Sequence, residues 1–364
     1  MGKVNWVLNP ETRLYMQIDE WLDRENALKE LTGYVEKRVV GQKSIKEICA
    51  NTYVYLNAVA RSLPVNNNMI ITAPSGTGKT ETYRAIRDYF RLYIPDLPVF
   101  LVDSTQLTPS GFKGSNLDEV FLPLFMLEIE SPPAIVFLDE IDKRIMPDKS
   151  SAGLNASVQY NLLSILEDGT ISAQIGRDTR VSISTSKVMF VGLGSFNEFR
   201  TKRSEIKSFG FNPTQKESFD MDFTPALLLE AGAEPELIGR FPFLVNFDPL
   251  TEASVDRIIA ELVLDLESVY DVDIDMKKPY CELLHSLANT KFGCRAMKNR
   301  LQTDLLSVYT QAMRAKHEED EVIINVTLDE KPCFFWRPFN EEEMKIVGKL
   351  QELSEANGSG SDVN

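Results

Sequence analysis

The stretch Met69–Thr80, MIITAPSGTGKT, decides how this chain folds. Four apolar or β-branched residues run into a turn of glycine, serine and threonine, and helical spacing starts at Lys79; a short apolar run of this kind reads as a buried strand. Gly76 and Gly78 admit positive φ, which lets successive N–H groups converge on phosphate oxygens, and Pro74, Ser75 and Thr77 complete the loop. Lys79 then reaches the β- and γ-phosphates of a nucleoside triphosphate. Thr80 sets its hydroxyl on magnesium, and the helix turns its positive end to the ligand. Ala73 stands where the strict pattern has its opening glycine, so the loop requires a negative φ at Ala73.

Working outward, apolar runs recur at Val99 to Val102, Ala134 to Leu138 and Val188 to Val191, separated by segments of helical spacing. Strands alternating with helices imply an α/β fold, a parallel sheet covered on both faces. The third run ends in Asp139 and Glu140, at the carboxyl edge where open α/β sheets bind ligands. Asp139 is placed to hold magnesium through water and Glu140 to activate the attacking water as general base. A phosphate loop followed by this acid pair predicts hydrolysis of ATP, with Mg2+ as the metal. From about Thr251 the pattern changes to amphipathic helices followed by a single strand-like run, Val322 to Val326. The expected division is an N-terminal helical segment at 1–32 carrying Trp6, Leu14 and Trp21, a large domain at 33–248, a small, mostly helical domain at 249–330, and an extension at 331–364 ending in the flexible tail EANGSGSDVN.

At 364 residues and 43% hydrophobic content the chain can bury a full core in a large and a small domain. No apolar run approaches the roughly 18 residues of a membrane span, and MGKVNWVLNPETRLY lacks the apolar stretch of a secretory signal. The expectation is a cytoplasmic protein. Cys49, Cys281, Cys294 and Cys333 show no CxxC spacing and read as reduced thiols. The net charge of −15 disfavours a nucleic-acid partner. The compact basic cluster, Arg200, Lys202, Arg203 and Lys207, is interrupted by Glu205 and reads as a solvated loop.

Over roughly residues 33 to 330 the chain resembles the ClpX branch of the AAA+ unfoldases, and the order of short segments carries the resemblance. VVGQ looks like the family's adenine-side motif, which gives base contacts to Val39 and Val40. Gly111, Phe112, Lys113 and Gly114 stand where the family has an aromatic pore loop that grips a translocating polypeptide. ELIGR, ending at Arg240, matches the segment with the arginine finger that completes the neighbouring subunit's site. GCR matches the start of the helix bearing the sensor arginine, which assigns γ-phosphate reading to Arg295. Ser195 and Asn197 are both candidates for the first sensor, at the end of the strand after the acids.

The resemblance implies a homo-hexameric ring that turns ATP hydrolysis into pulling on protein substrates, with nucleotide between the large and small domains. Phe209, Gly210 and Phe211 stand where the family has its docking tripeptide for a ClpP-like peptidase; alternatively both rings pack back on the domain, and the chain dismantles complexes without proteolysis. A third reading is a nucleotide-gated binding module. Three departures bear on substrate choice. No zinc-binding module is seen ahead of residue 33, the loop SAQIGRDTRVSIS lacks the family's Arg-Lys-His run, and SSAGLNASVQYNLL lacks the charges usual in the second pore loop.

Overall fold

A computed structural model describes residues 9–64, 66–107, 120–146, 154–167, 169–175, 179–201, 222–290, 293–315 and 322–338. The chain forms two compact units, Met1–Thr251 and Glu252–Asn364.

The first unit is built on five parallel strands, β1 (Met69–Thr72), β2 (Val99–Asp103), β3 (Ala134–Asp139), β6 (Val188–Gly194) and β7 (Phe243–Asn246), in the order β2-β3-β6-β1-β7. A separate antiparallel pair, β4 (Thr170–Ile175) and β5 (Thr179–Ser184), occupies much of the stretch read from sequence as a loop. Successive side chains of a strand face opposite ways, and the core divides accordingly. Met69, Ile71, Ile135, Phe137, Val191 and Leu193 join one apolar cluster; Ile70, Val136, Leu138, Val188 and Phe190 join the other. Helices α1 (Pro10–Leu22), α2 (Ala27–Arg38), α3 (Ile45–Ala60) and α4 (Lys79–Tyr93) supply the first cluster, and α5 (Leu154–Leu166) and α6 (Pro225–Ala231) supply the second.

Helix α1 does not stand apart from the large domain. It begins at Asn9, whose side chain accepts from the Glu11 N–H at 2.9 Å, with Pro10 preset for the first turn. Leu14, Ile18 and Trp21 are fully buried on one face, and Trp21 packs against Tyr53, Tyr89 and Phe90 while its indole N–H donates to the Tyr89 hydroxyl at 3.1 Å. The Tyr55 hydroxyl accepts from the Ala134 N–H at 2.8 Å and shares its one proton between the Ala134 and Lys187 carbonyls, each at 2.9 Å. One phenol therefore ties the starts of β3 and β6 together.

Helix α7 (Pro235–Gly239) follows the turn that closes α6, where Gly232 has φ +110°, a conformation that favours glycine. The second unit packs α8 (Glu252–Tyr270), α9 (Lys278–Ala288) and α10 (Cys294–Ala315) with three strands, β8 (Val272–Met276), β9 (Val322–Leu328) and β10 (Cys333–Pro338). β9 lies between the others, parallel to β8 and antiparallel to β10. Sequence reading expected one strand here and placed residues from 331 onward in an extension. Instead, Cys333–Pro338 is a full sheet strand, its alternation hidden because Phe334, Phe335 and Trp336 are apolar in succession.

Candidate nucleotide site

The turn after β1 has the shape its composition predicts. Gly76 and Gly78 take φ +80° and +111°, while Ala73 is fully buried and is not among the described residues of positive φ. Its N–H donates to the Gly194 carbonyl at 3.1 Å, continuing the β1–β6 pairing one residue past the strand. Alanine therefore serves at the loop's first position. Gly78 caps α4, and a Cβ placed there would meet Val39 Cγ1 at 2.9 Å. The Lys79 ammonium donates to the carbonyls of Ala73 and Pro74 at 2.6 and 3.0 Å, inside its own loop. Thr77 closes the turn by donating to the Pro74 carbonyl at 2.8 Å.

Strand β3 delivers the acids to the same edge of the sheet, one strand away, with β6 between. Asp139 accepts from the Glu140 N–H at 2.9 Å. Burial holds its carboxyl above the usual range, against the opposing pull of the Glu140 N–H and Lys79. Proximity to Lys79 and the raised proton affinity fit a carboxylate whose charge is to be met by a cation. Glu140 is exposed and has φ +54°, and Phe196, just past β6, has φ +50°. Left-handed backbone at a non-glycine residue costs on the order of 1–3 kcal/mol and clusters at functional sites.

The two sensor candidates separate. The Ser195 hydroxyl donates to Asp142 at 3.0 Å, and Asp142 also accepts from the Phe196 N–H at 2.9 Å. Asn197 instead donates to the Ser75 hydroxyl of the phosphate loop at 2.9 Å, and its amide oxygen is buried without a hydrogen-bond partner. Turning the amide over keeps the Ser75 contact, with serine as donor, and frees the NH2 group. The positive-φ glycines, the loop lysine and this orphaned amide fit a nucleotide phosphate with its magnesium.

Val39 and Val40 are buried, at 2% and 6% exposure, with Val39 against Gly78. The neighbouring Gln42 was not singled out in the sequence, yet it locks the loop. It donates to the Thr77 and Asp248 carbonyls at 3.3 and 2.9 Å and accepts from the Asp248 N–H at 2.9 Å. Arg240 is a partly exposed residue ion-paired with Glu167 of its own chain. Arg295 lies near the start of α10 in the second unit, exposed, and no ion pair among the described residues includes it. Residues 111–114 and 209–211 lie outside the described residues, so the pore-loop and docking expectations have no placement.

Arg200 overturns one expectation. It is 3% exposed, stacks over the Phe223 ring at 4.7 Å and donates to the Ser195 carbonyl at 3.1 Å, so it is no part of a solvated basic loop. Burial pushes its guanidinium down to about 10. Among the described residues no helix is long and apolar enough to cross a membrane.

Parallel sheet, phosphate loop and strand-end acids define an ATPase of the AAA+ class. The family described as AAA domain (Cdc48 subfamily) matches residues 126–244, which contain β3, the acid pair, β6 and Arg240. The ATP-dependent Clp protease ATP-binding subunit ClpX of Treponema denticola is 25% identical over 350 residues, covering 84% of this chain and 82% of its own. The ClpX subunit of Bacteroides fragilis is 26% identical over 344 residues, 82% of this chain and 79% of its own, and that of Bacteroides thetaiotaomicron is 24% identical over 340 residues. Within the AAA+ class, this chain is similar over most of its length to subunits of the ClpX type.

Proposed function

We propose that the chain is an ATP-driven protein unfoldase and translocase, working as a homo-hexameric ring and delivering substrates to a ClpP-type peptidase. The convergence of Lys79, Asp139, Glu140 and Asn197 on one sheet edge carries the enzymatic part of this reading. Kinship with ATP-binding subunits of a protease supports the rest.

In this reading the loop from Pro74 to Thr80 binds the triphosphate of ATP, with Val39 and Val40 at the base. Thr80 and Asp139 would hold magnesium, which neutralises charge on the phosphates when bound. Lys79 leaves the carbonyls of Ala73 and Pro74 for phosphate oxygens, exchanging two neutral acceptors for charged ones, a stronger class of hydrogen bond. Glu140 takes the proton of the attacking water, and Asn197 orients that water or the terminal phosphate. Arg240 leaves Glu167 to stabilise charge in the neighbouring subunit's site, which makes hydrolysis depend on assembly. An exposed arginine–carboxylate pair contributes about 0–1 kcal/mol, so its release is inexpensive. Arg295 reads the γ-phosphate, and Phe112 grips the polypeptide.

The experiment is an affinity capture of Glu140→Gln with ATP, with mass spectrometry of what is retained, beside the same variant carrying Phe209→Ala and Phe211→Ala. A peptidase retained by the first protein and lost from the second is the expected result. Client proteins without a peptidase would move the assignment to a stand-alone remodelling machine.

A further inference from the structure

Gln159 of α5 is a buried polar residue that the proposed chemistry does not use, 2% exposed on a helix whose Val158, Leu162 and Leu163 belong to an apolar cluster. Burying a primary amide is costly unless every group is satisfied, and here each is. The side-chain NH2 donates to the Arg144 and Gly232 carbonyls, both at 3.2 Å, with Ile145 O at 3.5 Å; the oxygen accepts from the Glu234 N–H at 2.8 Å. These partners belong to two segments nearly ninety residues apart. One is the helical turn Asp142–Ile145, which starts two residues after Glu140 and holds the sensor loop through Asp142. The other is the connection from α6 into α7, which ends at Arg240.

Resting on the roles given above to Glu140 and Arg240, we propose that Gln159 is a positioning residue, carrying the state of one subunit's nucleotide site to the arginine it presents to the next. The turn at 142–145 is fixed to the acid strand on one side and the sensor loop on the other. A shift of that turn moves the Arg144 carbonyl, and through one rigid amide it moves the backbone at Gly232 and Glu234. Helix α7 is a single short turn with Leu237 buried, so a displacement at its start reaches Arg240 without an intervening flexible segment. Simple packing would be served by methionine or leucine at this position; the amide adds directional bonds to both segments.

The test is a double-mutant cycle of ATP turnover in assembled full-length protein: wild type, Gln159→Met, Arg240→Ala and the pair, each with its affinity for a non-hydrolysable ATP analogue. Gln159→Met should lower kcat about tenfold, within the usual span of coupling between sites, while analogue affinity changes less than about twofold. In the Arg240→Ala background the same substitution should cost less than about twofold, because residues acting as a unit are not additive. Losses that multiply, or unchanged turnover in Gln159→Met, overturn the coupling and leave the arginine's role standing. Near-normal turnover of Arg240→Ala alone removes the arginine's role and the coupling with it. If the methionine variant fails to melt cooperatively, Gln159→Glu, which keeps the acceptor for Glu234, is read in the same cycle with the same criteria.

Discussion

At the scale of single residues, the site concentrates its strain and its charge in few places. Glu140→Gln should bind ATP and lose roughly 10²- to 10⁴-fold in rate, the usual range for a general base; phosphate release and analogue affinity check it. Gly78→Ala should weaken nucleotide binding, since the added methyl meets Val39 at 2.9 Å on a backbone of φ +111°; isothermal titration against wild type reads the loss. Asp139→Asn should raise the melting temperature at neutral pH. Burial lifts the folded carboxyl above its ordinary value, so stability falls as pH rises between the two values and stays low above them. Below the ordinary carboxylate range both states are protonated and the gain should vanish. The loop and acid pair were legible in the sequence because their chemistry is local. Asn197 could not be told from Ser195 there, and Gln42 and Asp142 carried no signal, because what sets each apart is a partner more than fifty positions away in the chain.

At the scale of elements, legibility followed burial. Strands β1, β3 and β6 announce themselves as apolar runs because they are almost wholly buried in the sheet, and β2, a half-buried edge strand, keeps the unbroken apolar run Val99–Val102. Edge strand β7 escaped notice: Phe243 is 42% exposed, and Pro242 interrupts the run before it. The β4–β5 pair alternates Ile171, Ala173 and Ile175, then Val181 and Ile183, with the polar residues Ser172, Gln174, Arg180, Ser182 and Ser184, a period of two that a search for continuous apolar runs passes over. Helix α1 reads as polar in composition, yet it contributes Trp21 to the core. Trp21→Ala should cost about 3–5 kcal/mol of stability, as aromatic truncations in cores do, and denaturant unfolding of the full chain would measure it.

At the scale of the whole molecule, the finger role proposed for Arg240 makes activity a property of the assembly. Arg240→Ala should form rings and turn over roughly 10³- to 10⁵-fold slower. Mixing it with Glu140→Gln should restore hydrolysis, because each Glu140→Gln subunit still offers Arg240 to a neighbour whose base is intact. A flat titration of one variant into the other would exclude action in trans. The anchoring of α1 has a practical consequence. Bound through Trp21 and through the paired Arg13 and Gln17 to Asp96, this helix rides with the sheet, and Met16 on its outer side is 45% exposed. A dye attached there through an introduced cysteine, once the exposed Cys333 is replaced, would act as a stiff pointer, reporting each swing of the motor's larger body with little slack in the joint.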